Sequence, residues 1–100
     1  MAERFKYLPS VEIGYAEQGR IFFTCRTYKD QPPAVREKID LVCLAAAGGE
    51  QSYADALKTY MTTDKSFNSV CMDGCVSTST MDRLRRRFYQ LFIWEDGGSR

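Results

Sequence analysis

Apolar residues recur at helical spacing through most of the chain after Pro33. Val35, Ile39, Val42 and Ala46 fall on one stripe, and Leu41, Cys43, Leu44 and Ala45 widen it, so the spacing predicts a helix over about 34–47 buried on more than one side. Pro33 suits its first turn, and Gly48-Gly49 stops it. Tyr53, Ala56, Leu57, Tyr60 and Met61 share a face of a second helix over about 52–61, with Ser52 as its expected cap. Thr62-Thr63-Asp64 breaks that pattern. A third stripe, Phe67, Val70 and Cys71, predicts a helix over 66–73 that Gly74 ends, and Met81, Leu84, Phe88, Leu91 and Phe92 carry a fourth over 78–94.

Ahead of Pro32-Pro33 the period changes. Val11, Ile13 and Tyr15 alternate with polar or small residues, Ala16-Glu17-Gln18-Gly19 offers a turn, and Arg20 to Tyr28 is rich in strand formers. This predicts a β-hairpin over about 11–28, leaning on the helices because an isolated hairpin is marginal in water. The expected fold class is therefore mainly α, an N-terminal β-hairpin followed by a four-helix domain ending in a helix-turn-helix. One hundred residues suit a single domain over 1–100. Glu95 to Arg100 is a polar tail expected to fray.

The third and fourth helices are separated by only about three residues. Val76 precedes Ser77, whose hydroxyl can accept from an orphan amide of the helix starting at Thr78, while Val76 packs on that helix's first turn. The run Val70-Cys71-x-x-x-Cys75-Val76-Ser77-x-Ser79-Thr80-Met81-x-Arg83-Leu84 resembles the core of bacterial and phage helix-turn-helix regulators, whose pattern is Ile-Ala-x-x-x-Gly-Val-Ser-x-Ser-Thr-Val-x-Arg-Leu. The resemblance covers about a third of the chain and implies a recognition helix placed in the DNA major groove. It departs at Cys75, where the family prefers glycine for a turn residue of positive φ; Gly74, one position earlier, offers a way to shift the turn.

Charge changes the picture locally rather than globally. The net charge is only +1, yet between Ser77 and Trp94 four arginines face one aspartate, a local balance of +3. At about 100° per residue, with Met81 pointing to the core, Leu84, Phe88 and Phe92 stay beside it and Ser79, Arg83, Arg86 and Gln90 point away, with Asp82 and Arg87 on the flanks. Ser79, Asp82, Arg83 and Arg86 are the expected readers of base edges, Arg83 being best suited to a bidentate guanine contact. Lys65, Thr78, Thr80 and Arg87 are the expected phosphate contacts. Arg85 lies about 40° from the core direction and is expected to snorkel along the apolar surface or to pair with an acidic residue of an earlier helix rather than join the site. Tyr89, Ile93 and Trp94, near the end of the same helix, are candidates for a homodimer interface or for cover by the hairpin.

Other chemistries find less material. The chain has no histidine, no glycine-rich phosphate loop and no paired carboxylates on one face, so no enzyme is expected. Its four cysteines read as free thiols acting as small buried hydrophobes; no metal and no cofactor is expected. No apolar run is long enough to span a membrane and the N-terminal residues lack a signal-peptide core, which points to the cytoplasm and away from a membrane. The expected function is sequence-specific binding of double-stranded DNA by a small transcriptional regulator of phage or mobile-element origin. The alternative is a protein-protein interaction factor that uses the same helix-turn-helix to bind or inhibit a protein complex.

Overall fold

The computed structural model describes residues 8, 9, 11 and 13–93, of Ile93 the backbone alone. Five α-helices run in order: α1 (Tyr15–Arg26), α2 (Pro33–Ala46), α3 (Gln51–Thr62), α4 (Phe67–Gly74) and α5 (Thr78–Ile93), with a short 3-10 turn over Tyr28–Asp30 between the first two. The chain is mainly α, as its periodicity predicts, and α2 to α5 lie within a residue or two of their expected bounds.

The β-hairpin is not there. Among the described residues no strand forms, and the segment expected to turn at Gly19 is instead the middle of α1. The reason is visible in what α1 buries: Gln18, Ile21, Phe22 and Cys25 recur at three- and four-residue intervals, a helical stripe that a strand would split between two faces. Burial of that stripe outweighs the modest strand preference of Ile21, Phe22, Phe23 and Thr24, since β-propensity largely reports how a residue packs. Gln18 locks the choice. Fully buried, its side chain accepts from the Leu8 amide at 2.9 Å and donates to the carbonyls of Leu8 and Ile13 at 3.0 Å each. Backbone groups that a strand would satisfy in a ladder are thereby satisfied by one amide side chain. Ser10 and Glu12, also within the expected hairpin, lie outside the described residues.

Helix α3 is the hub, packing on α1, α2, α4 and α5, and α2 packs broadly on both α3 and α5. One continuous core results, with Ile39, Leu57, Met61, Met81 and Phe88 fully enclosed. Pro33 stands at the first turn of α2 as expected. Ser52 does not cap α3: Glu50 holds that position without a side-chain cap bond, and the Ser52 hydroxyl turns to the Glu50 carboxylate at 3.4 Å. No helix among the described residues is long and apolar enough to cross a membrane.

The turn after α4 resolves the departure at Cys75. Cys75 itself takes the left-handed conformation, φ 55° and ψ 41°. The Val76 amide donates to the Cys71 carbonyl at 2.9 Å and the Cys75 amide to the Met72 carbonyl at 3.3 Å, the two bonds of a Schellman cap. Gly74 does not move the turn. It is the last helical residue, and a Cβ there would sit 3.1 Å from the Ala56 Cβ, so its small size serves the close approach of α4 to α3. Cys75→Gly is expected to stabilise the protein by roughly 0.5–1 kcal/mol, relief of left-handed strain being partly offset by glycine's greater freedom when unfolded. A fall in the urea midpoint would contradict that account of the turn.

Candidate functional site

The Schellman cap that ends α4 and the serine cap that opens α5 fix the relation of the two helices, and a second serine caps the start of α4. Ser66 caps α4 by accepting from the Ser69 amide at 3.1 Å, and Ser77 caps α5 by accepting from the Thr80 amide at 3.1 Å. The Met81 amide then donates to the Ser77 carbonyl at 2.9 Å, and Val76, next to the cap, is buried like Met81 below it. Ser77→Ala is expected to cost about 1 kcal/mol, read from thermal melting followed by circular dichroism.

The candidate residues divide in a way the helical wheel shows only in part. Thr78, Ser79, Arg83 and Arg87 are exposed. Neither Arg83 nor Arg87 has an ion-pair partner among the described residues. Thr80 is half-buried and its hydroxyl oxygen accepts from the Ser77 hydroxyl at 2.9 Å, which ties it into the cap. Lys65 is exposed but paired with Asp73 at 3.1 Å, so an incoming phosphate would compete with a carboxylate already in place.

Asp82 is fully engaged within the protein. Its Oδ1 accepts from Arg85 Nε at 3.0 Å and Nη2 at 2.8 Å, and its Oδ2 meets Arg86 Nη2 at 2.8 Å. Arg86, half-buried, is thereby drawn back along the helix. Arg85 is only 7% exposed, and its Nη1 donates to the Tyr60 hydroxyl at 3.0 Å. Its guanidinium lies 4.5 Å over the Phe67 ring and 5.7 Å from that of Tyr60, the two rings meeting edge to face at 5.5 Å. The acidic partner comes from its own helix, and Tyr60 and Phe67 are partners that spacing along α5 alone could not reveal.

Tyr89 is buried on the inner side of α5, with Tyr60, Cys25, Arg26 and Arg85 as its electrostatic neighbours, and burial raises its phenol well above the usual range. It is therefore not available as an interface residue. Of the other two interface candidates, the Ile93 side chain and Trp94 lie outside the described residues. Of the thiols only Cys75 is exposed; Cys25, Cys43 and Cys71 are buried, and none of the four is bridged. Among the described residues no group of three or more histidine, cysteine, aspartate or glutamate side chains converges as a metal ion would require.

The periodicity did not flag Met72. At 79% exposed it is the most open of the large apolar side chains among the described residues, on α4 just before the turn. Its signal in the sequence was its position off the stripe of Phe67, Val70 and Cys71. Comparison with known proteins finds no matching family model, no similar curated protein and no similar solved structure.

Proposed function

We propose that the protein binds double-stranded DNA in a sequence-specific manner through the exposed side of α5, as a small regulator of the phage or mobile-element kind. One observation carries the reading. Arg83 and Arg87 stand one turn apart, exposed and without ion-pair partners among the described residues, on a helix whose start is fixed by a capped three-residue turn. Two such guanidiniums on a fixed helix supply both the fork that matches a guanine edge and the charge that a phosphate backbone attracts. Ser79 adds a hydroxyl near the helix start, where a recognition helix approaches base edges.

Selection from a pool of random duplexes tests binding and returns the target together. Arg83→Ala is expected to cost about 1–3 kcal/mol on the selected site and to relax preference at one or two base pairs. Arg87→Ala should weaken binding almost equally for all sequences and flatten the salt dependence by about one unit of slope. Identical effects of both substitutions across a panel of sites would contradict the assignment.

A second reading, a protein-binding factor, draws on the exposed apolar side chains Tyr15, Phe23, Leu41 and Met72. It is preferred if the protein shows no binding to random duplex even at low salt, where phosphate contacts are strongest.

A further inference from the structure

We infer that Asp82 and Arg85 form a positioning pair that sets the angle at which α5 stands on α3 and α4, and that Asp82 reads no base. The inference rests on the DNA-binding reading and refines it. It also reassigns Asp82 from the base-reading group in which its place on the helix had put it.

The argument begins with what surrounds the guanidinium. Arg85 offers a planar fork of five N–H donors. Nε and Nη2 close on Asp82 of α5, Nη1 reaches Tyr60 of α3, and the guanidinium carbon lies over the Phe67 ring at the start of α4. One side chain thus touches three helices through directional contacts. Apolar packing alone permits one helix to slide or rotate on another, whereas a fork with two fixed acceptors and a stacked ring has one satisfying pose. A buried charge is a costly way to fill space, and a well-packed apolar side chain of similar volume does as well or better for stability alone. The pose is therefore what this cluster contributes.

Asp82 completes the device. Without its carboxylate the buried guanidinium loses its counter-ion, and Arg86 loses the contact that draws it back. Its neighbour Arg83 is the proposed base reader, so any rotation at Asp82 and Arg85 reaches the reading face directly. Such a site must be held within about 10–20° of its working geometry. Oδ1 already accepts two hydrogen bonds from Arg85 and Oδ2 is ion-paired with Arg86, which leaves Asp82 poorly placed to accept from a cytosine amine.

Three variants of the full chain test the pair: Arg85→Met, Arg85→Lys and Asp82→Asn. Each is compared with the parent by thermal melting, by the α4–α5 angle from residual dipolar couplings, and by binding to the parent's selected duplex and to random duplex. Arg85→Met, which removes one partner of the pair, is expected to lower the melting temperature while the protein still folds, to rotate α5 by more than about 10°, and to lose affinity at least tenfold on selected and random duplex alike. If it does not fold, Arg85→Lys takes its place, retaining the charge over Phe67 but not the fork, with the same expected rotation and loss. Asp82→Asn should bind more weakly while selecting the parent's consensus sequence. Parental angle and affinity in a folded Arg85 variant overturn the inference. So does a changed base preference in Asp82→Asn with the angle preserved, because Asp82 would then be a reader. The angle is measured without DNA, so failure of the parent to bind any duplex removes the DNA reading alone. In that event a rotated α5 still supports the positioning pair and an unmoved one overturns it.

Discussion

Phe88→Ala is expected to lower the free energy of unfolding by about 3–5 kcal/mol, the largest loss of any single side-chain truncation considered for α5. Phe88 is fully enclosed, lies 5.6 Å from the Phe92 ring at a tilt of 37° and meets Tyr89 edge to face at 6.1 Å. The fully enclosed Met81, a turn or two earlier, extends the same underside of α5. Truncation removes the transfer energy of a whole ring and leaves a cavity that rigid neighbours fill only in part. For a chain of this size the total is roughly 5–15 kcal/mol, so this one truncation removes a large share of it. Arg83→Ala, on the opposite side of the same helix, should change stability by no more than about 0.5 kcal/mol. Urea denaturation of both variants separates the apolar underside from the exposed face. A loss below about 1 kcal/mol for Phe88→Ala would show that α5 is not seated as described.

That contrast also explains which features were legible in the sequence. Helices α2 to α5 declared themselves because each carries one apolar stripe of period near 3.6 flanked by breakers, and each stripe is the surface that the core buries. Helix α1 did not. Tyr15 at its start and Phe23 on its outer side are both exposed, so the aromatic residues do not mark the buried stripe, while the buried face includes a glycine and Gln18. A buried glutamine that satisfies the backbone of a preceding segment has no periodic signature; it is legible only once Leu8 and Ile13 stand beside it. The alternation of Val11, Ile13 and Tyr15 marks no common face, since Val11 is buried, Ile13 half-buried and Tyr15 exposed.

The candidate site was half legible for a similar reason. The wheel put Arg83 opposite the core and Arg87 on a flank, and both are exposed, because exposure follows direction around a helix; it also put Arg86 opposite the core, where its pairing with Asp82 leaves it half-buried. It gave Asp82 a free flank because direction alone ignores pairing at three and four residues, and Asp82 has an arginine at both distances, Arg85 and Arg86. That signal was present in the sequence. The Tyr60 and Phe67 contacts of Arg85 were not, since they bring together side chains from three helices.

Alkaline conditions should unfold the protein well before they affect a chain with exposed thiols; two of the groups responsible lie in α1 and α2, and the buried Tyr89 phenol adds to the fall above pH 10. Cys25 and Cys43 are both buried, and burial is the main reason that the Cys43 thiol is pushed up from 9.0 to about 12 and the Cys25 thiol higher still. Below pH 9 both thiols are protonated in the folded and the unfolded chain alike, and they add nothing to the pH dependence. Above it the unfolded chain releases these protons at the ordinary value while the folded chain keeps them. The unfolded state then binds fewer protons, so stability falls as pH rises. For two thiols the fall approaches about 2.7 kcal/mol per pH unit, twice the single-group figure. It runs from pH 9 to about 12, where Cys43 begins to ionise in place. Urea denaturation in the presence of reductant at pH 8, 9, 10 and 11, spanning the thiol's ordinary value, measures the slope. Cys43→Ala should remove about 1.4 kcal/mol per unit of it, whatever the cavity costs at neutral pH, because only the slope is compared. The same protonated state makes Cys25 and Cys43 poor nucleophiles, since the thiolate is the reactive form. Their place in the protein is that of small apolar side chains, and a stability that stays level from pH 8 to 11 would show that α1 and α2 do not enclose them.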